Sequence, residues 1–305
     1  MKIFATTAIA AIALTSLAVD AVRAQTTPDP SSGSRQQASD LKNSNVVTQY
    51  GEWKYQALYE RVKKRGLLEE ISEFLSPLRL KQKLTFQTDS CGEINSFYVY
   101  STHTVHLCYE MLDWIENVAA VAPDKLTQST TPNTPARGLL PGVSRAEAIV
   151  GAIAGVALHE TGHAVFDIQE IPRLGREEDA ADMVAGFVML QFGSDVARVM
   201  IKGTFNMTYN SHAANPSVNA AAFADVHSLG LQRGYAVLCL AYGKEPETFK
   251  DLVQTWLPSA RHASCAREYK QAENAFRKTV LPYVDPAVMK KVQQMQILRP
   301  DDSKL

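Results

Sequence analysis

The chain is 305 residues long, with 31 basic and 32 acidic residues and a formal net charge of −1. Because the basic residues are also scattered, this balance points to neither a nucleic acid nor an anionic membrane surface as a partner. No internal repeat is visible, and once the N-terminal segments are set aside the remaining roughly 250 residues suffice for a single-core domain.

Residues 1–24 read as a secretory signal. Lys2 is a minimal basic start, residues 3–19 are an apolar core, and Val22-Arg23-Ala24 before Gln25 suits cleavage. The expectation is an exported protein, periplasmic or secreted, with no stable membrane insertion after cleavage. An uncleaved anchor is the alternative, for which the segment is short. No later segment is expected to be long enough to cross a bilayer. Residues 25–45, rich in Ser, Gln, Pro and Asp, read as a flexible leader, and residues 46–305 as one domain. Within it, residues 52–75 hold one or two helices, where Arg61, Lys63, Lys64 and Arg65 form a solvated end. Residues 78–107 supply the strands, residues 109–118 return to helix, and residues 123–142 are a loop biased to Thr, Pro and Asn. Everything after residue 146 is mainly helical. This order predicts an α+β plan, mainly helical, with a small antiparallel sheet packed on the long helix that begins near residue 146.

Export would put the four cysteines in an oxidising compartment, where an even number argues for two disulfides. Cys91 and Cys108 flank a strand-like stretch able to fold back on itself, which leaves Cys239 and Cys265. Four cysteines allow three pairings, however, and the sequence does not choose between them; reduced, buried cysteines are the alternative.

The most specific pattern lies in the helical run 146–168. Ser144-Arg145-Ala146-Glu147 is a capping box that starts it, and apolar residues cover it nearly all round, so the helix is expected to be buried. Yet it carries His159-Glu160-Thr161-Gly162-His163. His159 and His163, four apart, project from one face as two ligands of one metal ion. Buried imidazoles and a carboxylate cost desolvation energy unless something pairs with them, and a divalent metal does so. Glu160 can then act as general base toward a water at that metal. The alternative is a pair of ordinary histidines on a core helix. Gly162, which costs a helix roughly 1 kcal/mol relative to Ala, suggests a close backbone approach, for which a packed strand would suffice.

A third ligand is sought downstream. After Pro172 and Gly175 break the first helix, Glu177-Glu178-Asp179-Ala180-Ala181-Asp182 opens a second. Glu178 and Asp182 share a face, so Glu178 can complete a His2Glu site with an open fourth position, while Asp182 supports the outer nitrogen of a ligating histidine. Glu177 and Asp179 compete for the ligand role, and the acids also fit a first helical turn favoured by the helix dipole. Such a ligand set favours one zinc ion.

His-Glu-x-x-His followed by Glu-x-x-Ala-Asp resembles the gluzincin clan of zinc metallopeptidases, in which the second motif supplies the third ligand and its supporting aspartate. More closely, Cys91-Gly92, Asn95-Ser96-Phe97-Tyr98, Leu107-Cys108-Tyr109-Glu110, the two metal motifs, Asp225-Val226-His227, Arg233 and Cys239 together resemble a bacterial family of metallopeptidases of undefined substrate. The similarity spans roughly residues 50 to 285. It implies a zincin-like fold and hydrolysis of peptide bonds in peptide or protein substrates. The edge strand carrying Asn95 to Tyr98 would then run beside the metal and pair with an extended substrate backbone.

In gluzincins a His or Tyr beyond the third ligand often stabilises the oxyanion, and His227, with Asp225 to orient it and Arg233 adding charge, is the first candidate for that catalytic role. A buried polar network of Asp225, His227 and Arg233 is the competing reading. His212 is a weaker choice, His103 and His106 sit on or near the strands and read as solvent-facing or satisfied rather than as ligands, His262 lacks a supporting pattern, and Tyr98, Tyr109 and Tyr235 read as packing residues. A second class of function stays open: a non-catalytic, zinc-stabilised module that binds peptide without cutting it. Glu160 separates the two, since a structural site has no use for an unligated acid beside its ligands.

Overall fold

The structure is a computed structural model that describes residues 46–51, 56–121, 138–214 and 219–294. The expected signal segment and leader, and most of the expected 123–142 loop, lie outside those residues. The chain is mainly helical with one four-stranded sheet, an α+β plan.

Strand β1 (Val46–Tyr50) leads into helices α1 (Gln56–Arg65) and α2 (Leu67–Leu75), followed by β2 (Leu84–Asp89), β3 (Ser96–Val99) and β4 (Thr104–Cys108). The sheet order is β1-β2-β4-β3. It is mixed rather than antiparallel: β1 runs parallel to β2 and β2 parallel to β4, while β3 alone pairs antiparallel with β4. Crossover length is the reason. Helices α1 and α2 carry the chain from one end of β1 back to the start of β2, as a parallel pair requires, whereas only a short turn joins β3 to β4. Leu84, Phe86, Tyr98, Val105 and Leu107 fill the inner face, and β3 is left on the edge.

Helix α3 (Tyr109–Trp114) widens into a π-helical turn, Ile115–Ala119, before the chain reaches the central helix α4 (Arg145–Ile168). The capping box forms as expected: Glu147 N donates to Ser144 Oγ (3.2 Å) and Ser144 N to Glu147 Oε2 (2.8 Å). By length and composition α4 would span a bilayer, contrary to expectation, but its apolar window is wholly buried in the protein. Against it pack α5 (Glu177–Met189) and α6 (Ser194–Ala214); the short α7 (Ala220–Ala224) follows, then α8 (Gly230–Lys244), which packs on α5 and α6, and α9 (Pro246–Trp256), α10 (Ser259–Thr279) and α11 (Pro286–Gln294).

Two glycine contacts set how closely the helices pack. A Cβ on Gly151 of α4 would sit 2.6 Å from Val199 O and 2.7 Å from Gly203 Cα of α6, so the two backbones touch there. At Gly162 the close neighbour is helix α5, not a strand: a Cβ would lie 3.0 Å from Ala181 Cα. That contact brings the start of α5 against the histidine-bearing end of α4. Cys91 pairs with Cys108 and Cys239 with Cys265, one bridge at the sheet and one joining α8 to α10.

Candidate metal centre

Helix α4 ends at Ile168, and the 169–176 turn, with Glu170 at φ 54° and Gly175 at φ 100°, reverses the chain into α5. Three acids, Glu177, Glu178 and Asp179, fall in the first turn of α5, where the helix dipole favours negative charge. The close approach at Gly162 sets this turn against His159 and His163.

The result is a convergence of three donors. His163 Nε2 lies 3.2 Å from His159 Nε2, and Glu178 Oε2 lies 3.1 Å from the first imidazole and 3.3 Å from the second. Four donors placed tetrahedrally about 2.1 Å from a zinc ion sit roughly 3.4 Å from one another, so the separations fit such an ion. His159 and His163 are 6% and 7% exposed, so the burial of their imidazoles calls for compensating partners, which Glu178 and a bound metal ion would supply.

The outer nitrogens are engaged as well. His159 Nδ1 lies 2.8 Å from Asp182 Oδ1, and Arg233 clamps that carboxylate through Nε (2.7 Å) and Nη2 (2.8 Å). His163 Nδ1 lies 2.9 Å from Glu177 Oε1. An Nδ1–H donated to a carboxylate leaves the Nε2 lone pair facing the shared point, the tautomer that a metal ligand needs. Burial favours a neutral Asp182, but Arg233 and His159 outweigh it and hold the carboxyl low. Burial acts likewise on Glu178, where hydrogen bonds with His159, His163 and His227 prevail and hold it well below the usual carboxylate range.

Glu160 stays outside the donor cluster and lines a neighbouring cavity of about 290 Å³. Burial pushes its carboxyl up, against the opposing pull of the two imidazoles. Asn95 and Ser96 border the same cavity from the sheet edge, and Met111, Trp114, Val156, Met207 and Val237 give it an apolar wall. Val156 is expected from the sequence only as part of the buried helix, and the other apolar residues of that wall carry no sequence signal, because no local pattern marks side chains that meet only in the fold.

His227 reaches the site from the segment between α7 and α8. Its Nε2 lies 2.9 Å from Glu178 Oε2 and its Nδ1 3.3 Å from Asp225 Oδ1, while the side chain stays 44% exposed. Asp225 therefore orients His227, as the spacing suggests, but Arg233 belongs with Asp182 rather than to a buried Asp225–His227 network. Of the competing acids, Glu177 backs His163, and Asp179 accepts from Ser228 Oγ at 2.7 Å, holding the segment that carries His227. Elsewhere His103 meets Asp167, His106 meets Asp89 and His262 contacts Leu257 O. Tyr98, read as a packing residue, also donates its hydroxyl to Asp167 at 2.7 Å. Among the described residues, His159, His163 and Glu178 form the one cluster with metal-ligand spacing.

An α+β fold with two imidazoles and a carboxylate gathered on a buried helix pair is the frame of a metal-dependent hydrolase. The chain belongs to a protein family described as "Putative metallopeptidase", which it matches over residues 49–280. Metallopeptidase-type function, a metal cofactor and peptide or protein substrates follow from that membership. No curated protein and no solved structure matches the chain significantly.

Proposed function

We propose that the protein is an exported, zinc-dependent peptidase that hydrolyses peptide bonds with an activated water. The convergence of His159 Nε2, His163 Nε2 and Glu178 Oε2 within 3.1–3.3 Å of one another carries this reading. Zinc held there supplies Lewis acidity, acidifying water toward neutral pH and polarising a carbonyl. Glu160 takes the proton of the attacking water and returns it to the leaving amine, a task for which a carboxyl pushed up by burial is suited. His227, oriented by Asp225 at the exposed mouth of the cleft, turns its Nε2–H from Glu178 toward the negative charge that develops on the scissile carbonyl oxygen. Asp182 keeps His159 in its ligating tautomer and orientation.

The edge strand β3, beginning at Ser96 on the cavity wall, offers the side that no strand pairs among the described residues to an extended peptide backbone. The wall of Met111, Trp114, Val156, Met207 and Val237 suits a large apolar side chain next to the scissile bond. Two disulfides among the described residues support an oxidising, extracytoplasmic setting. A zinc-stabilised peptide-binding module would leave Glu160 buried at a cavity with no task, so the enzyme is preferred.

Glu160→Gln is the direct test. The variant is expected to keep zinc, measured by metal analysis, and to lose about 10²–10⁴-fold in the rate of peptide-library hydrolysis. Hydrolysis at the parental rate would eliminate Glu160 as the base.

A further inference from the structure

Three side chains from three places meet behind His163 on the face away from the donor cluster. Glu177 Oε1 lies 2.9 Å from His163 Nδ1, and the same oxygen accepts from the Tyr100 hydroxyl at 2.6 Å. Its other oxygen, Oε2, is paired with Arg173 Nη2 at 2.8 Å. Tyr100 comes from the turn that follows edge strand β3, and Arg173 from the reversal between α4 and α5. A carboxylate held on both oxygens has little rotational freedom left, so the imidazole that donates to it is fixed in ring angle as well as in tautomer.

We propose that Glu177, held by Tyr100 and Arg173, is the positioning residue for His163, as Asp182 held by Arg233 is for His159. The assignment rests on the metal-centre reading above and adds a residue to it. Two properties separate Glu177 from an ordinary first-turn acid. Its carboxylate turns back onto the preceding helix rather than out to water, and its partners include a tyrosine hydroxyl supplied by the sheet. The second property ties the β3–β4 hairpin, where we place the substrate backbone, to the orientation of a metal ligand. Loss of an outer-sphere partner of this kind typically weakens metal binding 10–100-fold.

The experiment is zinc affinity by competition with a chromophoric chelator, on the full chain, for wild type, Glu177→Ala, Glu177→Gln and Tyr100→Phe. Denaturation of each protein without metal is recorded alongside. Glu177→Ala is expected to bind zinc 10–100-fold more weakly. Glu177→Gln, which keeps a carbonyl acceptor for His163 Nδ1, should lose less, and Tyr100→Phe should give a smaller loss in the same direction. The loss of affinity should appear in variants that their metal-free unfolding curves show to be folded, whereas a merely structural role would lower the unfolding midpoint and leave the zinc affinity of the folded protein unchanged. Wild-type affinity in Glu177→Ala overturns the assignment and leaves the metal centre standing. Should Glu177→Ala fail to fold, Tyr100→Phe decides, and unchanged affinity there overturns it too. A wild-type protein that takes up no zinc brings down the metal centre and this assignment together.

Discussion

Four acids within six positions of α5 do four different things. Glu177 receives His163, Glu178 faces both imidazoles, Asp179 holds Ser228, and Asp182 bridges His159 and Arg233. Charge balance in this cluster makes the metal-free protein sensitive to pH. Burial, the largest influence on His159, disfavours its charged form, but Asp182 and Glu178 overcome it and raise the imidazole from 6.5 to about 9. A group whose folded pKa exceeds its unfolded value stabilises the fold fully below the unfolded pKa and loses that contribution as pH climbs through the folded one. The metal-free protein is therefore expected to lose denaturant resistance between about pH 6.5 and 9. Urea titrations of chelator-treated protein across that range check this, with His159→Gln as the control that should show a flatter profile. At this scale the sequence is readable where spacing does the work. His159 with His163, and Glu178 with Asp182, each stand one helical turn apart and share a face. The pairing of Arg233 with Asp182 spans 51 positions and leaves no local trace, and Glu177 is hidden because a first-turn acid is already accounted for by the helix dipole.

Helix α4 is the element on which the others are registered. At its N-terminal half it crosses α6 through Gly151 and Gly203, where the helix backbones leave no room for a methyl group. Gly151→Ala would press a Cβ to 2.6 Å from Val199 O, backbone that can yield only if the helices separate. A loss of about 1–3 kcal/mol is expected by chemical denaturation. Gly162→Ala, with 3.0 Å to Ala181 Cα, should cost less. Wild-type stability in Gly151→Ala would contradict the close crossing. The start of α4 was legible because a capping box is a four-residue code. The sheet was legible only in outline. β1 is five residues long and stands next to a polar leader, so it offers too little alternation to be seen. Its parallel pairing with β2 depends on where two intervening helices deliver the chain, which strand patterns do not record.

Over the whole molecule, links distant in sequence close the structure around the cleft. The bridge from Cys91 to Cys108 spans 17 positions and pins the turn that carries Ile94 and Asn95 to the cavity rim; the one from Cys239 to Cys265 spans 26 and ties α8 to α10. Each stabilises the fold by about 3 kcal/mol in the chain-entropy view. Leu78 meets Val284 in an isolated bridge and Arg79 pairs with Asp285 at 2.9 Å, so the C-terminal helices are anchored just before β2. The burial of α4 acquires another meaning on the proposed export route. A polypeptide threaded unfolded through a translocation channel presents these 24 residues to lipid before any of their packing partners exist. A charged side chain at mid-bilayer costs about 2.5–3.5 kcal/mol on insertion scales, so the polar residues of the metal helix also discourage it from lodging in the membrane during transit. Replacing His159, Glu160 and His163 together by Leu should shift the exported protein into the membrane fraction, and an undiminished soluble yield would show that the channel ignores them.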